Sequence, residues 1–396
     1  MLRWRTNAEL IAGRGQAFEW IRHLPRRDRS TLAVVFDRAL ASVDPVARVL
    51  DAATGVGLTV PVGPGDDDWF GLLALGDRLR HAGTERVVVV GGGTATDIAR
   101  LASLIAANER RRLRCLEGRA AAGFRPLPDR HLRRLRVVAM STTLGTGVEV
   151  SPVACMVRDG TKRIVLGERL VPDVAVLDPD LTASLPAGLV EAGIVEVMLR
   201  YLGPLLRGNP GVAMTDEVIL DELRHLDRLL RTGRERPLRG EERLEVSLRS
   251  ASTRLGFGLA GRDPYSSRLW YLATALTDRV PVSKIDANLM LLPAILLAID
   301  AGDQRVGQRS IIQRVNRSLG LLPGDPLAIA RHLRGERPPP DVVRPDPFDV
   351  AAHAQRTWGA GQPMLGDFDL DELAGIYNSV RYGALSGATD PSPSPS

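Results

Sequence analysis

The sequence is nearly empty of lysine: of its 52 basic residues only Lys162 and Lys284 are lysines, and all others are arginine. That skew reflects a GC-rich coding bias before it reflects a ligand. Aromatic residues make up 4% of the chain, too few to build the stacking platforms of a single-strand nucleic-acid binder. Arg110-Arg111-Arg112 and Arg133-Arg134 are interleaved with leucine and lie near acidic residues, so the net charge of +5 forms no nucleic-acid stripe. The two cysteines, Cys115 and Cys155, sit in separate segments without metal-type spacing. They read as ordinary buried thiols of a cytoplasmic protein. No apolar run reaches the roughly 18 residues of a membrane span. Met1-Leu2-Arg3-Trp4-Arg5 leads into polar sequence without a secretory core.

What is present falls into two halves, as 396 residues suggest. In the first half, short apolar runs alternate with helical stretches, the pattern of a parallel sheet. Strands are expected at Thr31 to Phe36 (ending at Asp37), Val87 to Val90, Leu135 to Met140 and Asp173 to Leu177. Asp66 to His81 reads as a helix on Phe70, Leu73, Leu75 and Leu79. After Pro186 the reading is helical throughout: Leu189 to Leu206, Met214 to Arg231, Glu241 to Leu259, Ser267 to Leu276, Ala287 to Ile299 and Asp369 to Tyr382. Arg334 to Pro347 reads as a Pro-rich loop. The expectation is an α/β N-terminal domain with a Rossmann-like parallel sheet over 1–185, an all-α helical substrate domain over 186–385, and a disordered tail over 386–396.

Val87 to Val90 runs straight into Gly91-Gly92-Gly93-Thr94-Ala95-Thr96-Asp97. Glycines let a turn adopt positive φ and let a phosphate reach the backbone. The helix that follows offers free N–H groups and a positive dipole end. The turn lacks the G-x-G-x-x-G fingerprint, so by itself it fits either a dinucleotide site or a tight strand-to-helix connection. Ser141-Thr142-Thr143-Leu144-Gly145-Thr146-Gly147 places hydroxyls and glycines at the carboxyl end of another strand, the edge where ligands collect in open α/β sheets. Asp37 ends a third strand, suits hydrogen bonding to a ribose and would repel a 2′-phosphate.

These segments resemble a known family. Gly91-Gly-Gly-Thr-Ala-Thr-Asp97 is similar to the GGGS-x-x-D element of iron-containing alcohol dehydrogenases and their dehydroquinate-synthase-like cousins. Ser141 to Pro152 is similar to the dehydrogenase segment TT-x-GTGSEVTP, Pro172 to Pro186 to the PD-x-A-x-x-DP connector, and Ala287 to Pro293 to the AN-x-x-LLP helix. The four segments keep the family's order. The resemblance implies NAD as cofactor and a homodimer. It implies Gly91, Gly92, Gly93 and Thr94 at the pyrophosphate, with Asp97 closing the element. Thr142, Thr143 and Thr146 would line the path toward the nicotinamide, and Asp37 would favour NAD over NADP.

The resemblance breaks at the metal. Where relatives place Asp and His ligands, this chain has Val195 (beside Glu196), Leu199, Trp270 and Lys284; a further substrate-side histidine becomes Thr274. No histidine occurs between His225 and His332. A transition metal wants several converging N, O or S ligands, so none is expected. One reading lets a cation take over the metal's work of stabilising a developing alkoxide. Lys284 is its candidate, because a lysine offers a compact charge and a tunable pKa. Glu196, Tyr271 and Tyr265 are secondary acid–base candidates. Trp270, Thr274 and Arg268 are expected at the substrate. A second reading is a catalytically decayed NAD-binding scaffold, and a third a sugar-phosphate cyclase of the dehydroquinate-synthase type.

For substrate, the expectation is a small molecule or a peptide bearing a secondary alcohol, with no nucleic acid and no membrane partner. Metal-deficient members of this kind are similar to the peptide-tailoring dehydrogenases of daptide pathways. That similarity implies oxidation of a C-terminal threonine with loss of CO₂. Arg200, Arg254, Arg262 and Arg268 are candidates for a bidentate carboxylate clamp.

Overall fold

β-branched apolar runs flanked by turn residues make the strands, as a sheet buried on both faces requires. In the computed structural model, which describes residues 8–117, 122–208, 213–263 and 265–382, these are β1 Glu9–Ala12, β2 Leu32–Asp37, β3 Leu58–Val62, β4 Arg86–Gly91, β5 Phe124–Pro126, β6 Arg136–Ser141, β7 Val153–Arg158, β8 Thr161–Leu166 and β9 Val174–Leu177. The tail expected at 386–396 and the start, Met1 to Arg5, lie outside the described residues. Six strands form one sheet in the order β1-β9-β6-β4-β2-β3, with every pair parallel. The four strands expected from sequence are its four central ones.

Two edge strands and a small second sheet add to that expectation. β1 and β3 pair on one side only and are partly exposed, and β3 carries Pro61, which an edge strand tolerates. β7 and β8 form an antiparallel hairpin flanked by β5, with buried residues alternating with half-buried ones. β8 opens on Thr161-Lys162-Arg163 and lacks the continuous apolar run by which the central strands announce themselves, whereas the run Val153 to Val157 of β7 was passed over.

The helices are α1 Gln16–Arg22, α2 Arg26–Arg29, α3 Asp44–Ala52, α4 Trp69–His81, α5 Gly93–Ala106, α6 Arg114–Glu117, α7 Ala187–Leu206, α8 Met214–Glu235, α9 Gly240–Leu255, α10 Arg268–Thr277, α11 Lys284–Asp300, α12 Arg309–Ser318, α13 Ala328–Arg334, α14 Pro347–Trp358 and α15 Leu370–Asn378. After β9 the described residues contain no strand, so the chain is an α/β part followed by a helical part, as its pattern implied. Two compact units emerge: Met1–Leu202 with Asn209–Arg262, and Gly203–Gly208 with Asp263–Ser396.

Alternation along the central strands divides the first unit's core. Ala33, Val35, Val87, Val89, Val137 and Ala139 pack with α4, α5 and the hairpin. Leu32, Val34, Val88, Val90, Val138 and Met140 pack on the opposite face with α1 and α3. On α4 the buried apolar residues are Trp69, Leu72, Leu75 and Leu79, while Phe70, expected to face inward, is 72% exposed. Phe70 is rotated about 100° from Trp69 around the helix, off the face that packs on the core. Both cysteines are half-buried rather than fully buried, and neither is in a disulfide among the described residues. No helix among the described residues is long and apolar enough to cross a membrane.

α4 and α5 approach closely through Gly76: a β-carbon there would lie 2.5 Å from Ile105 Cγ2. Gly76→Ala is therefore expected to destabilise by about 1–3 kcal/mol through overpacking. Gly375 in α15 has open space around it, and Gly375→Ala should stabilise by roughly 0.5–1 kcal/mol. Denaturant unfolding of the two variants checks the opposite signs.

Candidate functional site

β4 delivers the chain at Gly91 directly into α5. Gly92 is the N-cap, and no side chain caps the helix. The first N–H groups of α5 are thus left to a ligand or water. Side chains are excluded from this turn by crowding. A β-carbon on Gly91 would lie 2.7 Å from Ala95 Cβ and 3.3 Å from Asp37 Cβ, and one on Gly92 would lie 2.8 Å from Thr143 Cγ2. Gly93 faces the methyl of Thr146, which a β-carbon would meet at 3.7 Å. Thr94 is exposed at the start of the helix, whereas the Thr96 hydroxyl donates to Gly92 O at 3.0 Å.

Thr142 N donates to Gly91 O at 3.1 Å, tying the ends of β4 and β6 together and setting the threonine loop over the glycines. The hydroxyls of Thr142, Thr143 and Thr146 are buried and have no hydrogen-bond partner among the described residues. A buried hydroxyl without a partner costs about 1–3 kcal/mol, so three around one glycine turn mark a place made for polar atoms from outside the chain. Asp37 stands beside Gly91, and its Oδ1 accepts from Ala39 N at 3.0 Å, capping a short helical turn. The structure therefore gathers Asp37, Gly91, Gly92, Gly93, Thr142, Thr143 and Thr146 at the carboxyl edge of the sheet.

Asp97 turns away from this group. Its carboxylate pairs with Arg100 and accepts from Cys155 N at 2.9 Å. Arg100, 2% exposed, also donates to the carbonyls of Ser151 (2.5 Å), Val153 (2.7 Å) and Leu170 (3.2 Å). The pair stitches α5 to the hairpin and so fixes the helix whose N-terminus faces the site.

The loop continues through Gly145 and Gly147, both with positive φ (86° and 59°). It lies flat on α7: Gly145 abuts Gly193 O, and Gly147 abuts Arg200 Nη1, leaving no room for side chains. Arg200 is 7% exposed and donates to Thr253 Oγ1 at 3.1 Å and to Glu196 Oε1 at 3.3 Å. Beside it Glu149 is fully enclosed, and its Oε2 has no partner among the described residues. Burial pushes the Glu149 carboxyl above its ordinary range, while its own backbone N–H and the nearby Arg200 and Arg100 guanidiniums oppose the shift. The expected metal-ligand positions on this helix, Val195 and Leu199, are each 1% exposed. Glu149 had no role from sequence, although its place directly after Gly145-Thr146-Gly147 was the available signal.

In the second unit, Trp270 and Lys284, which the sequence resemblance set at expected metal-ligand positions, touch one another. Lys284 Nζ sits 4.6 Å from the centroid of the Trp270 ring. Lys284 is exposed and opens α11, whose N-cap Ser283 accepts from Asp286 N. The Thr274 hydroxyl donates to Trp270 O at 2.7 Å. Tyr271 packs on Trp358 with ring centroids 5.4 Å apart. Arg268 is 7% exposed, with Nη1 on the carbonyls of Pro363 and Met364 and Nη2 on Asp367 at 2.9 Å. His353 Nε2 and Asp278 Oδ2 form a buried pair at 2.9 Å that sequence reading passed over. Tyr265 N donates to Asp263 Oδ1 at 2.9 Å. Of the remaining arginines, Arg262 of the first unit is paired with Asp216 and bonds Thr215 Oγ1 at 3.1 Å, and Arg254 is exposed. Among the described residues no group of three or more His, Cys, Asp or Glu side chains is placed to hold a metal ion.

The sequence profile of iron-containing alcohol dehydrogenases matches residues 7–179. The 4-hydroxybutyrate dehydrogenase of Cupriavidus necator is 27% identical over 313 residues, which is 76% of this chain and 77% of that protein. NADH-dependent butanol dehydrogenase A from Thermotoga maritima has the same fold, with a TM-score of 0.81 at 15% identity over 96% of this chain and 98% of that one. Sulfoacetaldehyde reductase from Bifidobacterium kashiwanohense, solved in complex with NAD+, superposes with a TM-score of 0.73 at 20% identity, again over 96% of this chain and 98% of that one. Residues 7–179 are thus similar to the iron-containing alcohol dehydrogenases, and the chain carries the fold of these dehydrogenase structures.

Proposed function

We propose that the protein is an NAD-dependent oxidoreductase that interconverts an alcohol and its carbonyl compound without a bound metal. The observation that carries the cofactor is the set of three buried, unpartnered hydroxyls on Thr142, Thr143 and Thr146 around an uncapped helix N-terminus. These donors and the bare backbone of Gly91, Gly92 and Gly93 fit an anionic pyrophosphate. When bound, NAD+ supplies the hydride acceptor. The chain's own work is then to seat the phosphates on the α5 amides, to let Asp37 meet the ribose, and to line the remaining path with threonine hydroxyls. Relatives named as NAD- or NADH-dependent dehydrogenases support the same reading.

Val195 and Leu199 are apolar and sealed in the core, Glu196 is tied to Arg200, and Trp270 meets Lys284. This donor set does not fit an iron or zinc ion. Lys284 is exposed and its Nζ stands over the Trp270 ring, a cation–π contact that contributes about 0.5–1 kcal/mol at an exposed site. Lys284 is the candidate for the positive charge that stabilises a developing alkoxide. The substrate is an alcohol that needs no Arg268 or Arg262 clamp, since both guanidiniums are held by protein carboxylates.

Calorimetric titration checks the cofactor. The wild-type protein is expected to bind NADH, Gly92→Ala to weaken it at least about tenfold, and the Thr143→Val and Thr146→Val variants by roughly 2- to 13-fold each. Absence of wild-type uptake, or unchanged affinity in Gly92→Ala, contradicts the reading. Elemental analysis checks the second claim: the active protein is expected to hold far less than one transition metal per chain and to keep its turnover of a primary- and secondary-alcohol panel in EDTA. Lys284→Met should lower that turnover at least about tenfold with NADH affinity unchanged. A stoichiometric metal, or full activity in Lys284→Met, contradicts it.

A further inference from the structure

Alcohol oxidation releases a proton as well as a hydride, and the proton needs an acceptor. The first unit holds a group built for it. The Gly145–Gly147 loop presents Thr146 to Gly93 on one side and rests on α7 on the other. On α7, Gly193 meets the loop at Gly145, and Arg200 meets it at Gly147. Glu196 lies between these contacts, three residues after Gly193 and four before Arg200, one helical turn from each. Its side chain keeps 21% exposure, and only Oε1 is bonded to Arg200. Arg200 is itself locked by Thr253 and by contact with the loop backbone, so the carboxylate is held by an immobile partner. Glu149 and Ser250 complete the enclosure with a carboxyl oxygen and a hydroxyl that have no partner among the described residues.

We infer that Glu196, oriented by Arg200 against the Gly145–Gly147 loop, is the proton acceptor of the reaction and a determinant of which cofactor oxidation state the site prefers. This rests on the NAD-dependent reading. The substrate O–H bond breaks and its proton passes to the free oxygen of Glu196. The C–H bond breaks with its electron pair leaving to the oxidised nicotinamide, and the carbon–oxygen double bond forms. Arg200 is a positioning residue, and burial pushes the neighbouring Glu149 carboxyl above its ordinary range. The Glu196 carboxylate thus stands on the loop's α7 side with the Arg200 guanidinium behind it.

The charge makes an electrostatic signature that needs no substrate. NAD+ carries a positive nicotinamide ring and NADH a neutral one, so a carboxylate beside the path favours the oxidised form. The experiment is a pair of calorimetric titrations of full-length protein, with NAD+ and with NADH, on wild type, Glu196→Gln, Arg200→Met and Arg200→Lys. Glu196→Gln is expected to shift the ratio of the two affinities toward NADH by about fivefold, and Arg200→Met toward NAD+ by a similar factor. Arg200→Lys keeps the charge and should keep the wild-type ratio. A merely structural role would weaken both cofactors together and could not give opposite signs. An unchanged ratio in Glu196→Gln, or shifts of one sign in both variants, overturns this inference alone. Failure of wild type to bind either form overturns it together with the NAD-dependent reading.

Discussion

The structure around the candidate site depends on backbone approaching where no side chain can stand. Gly91 and Gly92 have no space for a β-carbon because Ala95, Asp37 and Thr143 already occupy it. Three sheet strands end at that point, and their carboxyl ends contribute Asp37, the glycine turn and the threonine loop. Beside this close approach α5 has no side-chain cap, and the threonine hydroxyls have no partner among the described residues. Unsatisfied polar groups at this density oppose folding, and a pyrophosphate offers them what water-facing loops offer elsewhere.

Around that turn, rigidity comes from buried ion pairs rather than from apolar packing alone. Arg100 with Asp97 joins α5 to the hairpin, and Arg200 with Glu196 and Thr253 joins α7 to the loop and to α9. A buried charge left unpaired is costly, so each pair fixes a specific geometry even where its net stabilisation is small. In the second unit Arg268 does the same for the segment at Pro363 to Asp367. The abundance of arginine, first read as coding bias, thus serves as internal scaffolding: a planar fork satisfies several carbonyls at once, which an ammonium does with less geometric control.

Much of this was legible in the sequence. The four central strands are continuous β-branched runs, and doubly buried strands have no polar face to obscure them. The glycine turn and the threonine loop stood out because both follow such strands directly. The edge strands β1 and β3 and the hairpin were hidden, since partial exposure and Pro61 break the pattern a strand reading relies on. Phe70 misled because the apolar residues of α4 spread over more than one face, and the packed face runs through Trp69, Leu72 and Leu79. Asp97 looked like part of the ligand turn, yet its partners Arg100 and Cys155 show a stitch to the hairpin. The pair of Arg200 and Glu196 was readable as an (i, i+4) spacing, but its placement against Gly147 required a contact between residues far apart in the chain.

The central claim is that a dinucleotide lies on the amides that follow β4. Amide hydrogen exchange, measured with and without saturating NADH, tests it at the residues concerned. The account predicts added protection at Gly92 to Thr96 and across Thr142 to Gly147, with the edge strand β3 unchanged. Protection that appears elsewhere while these amides exchange as before would contradict it.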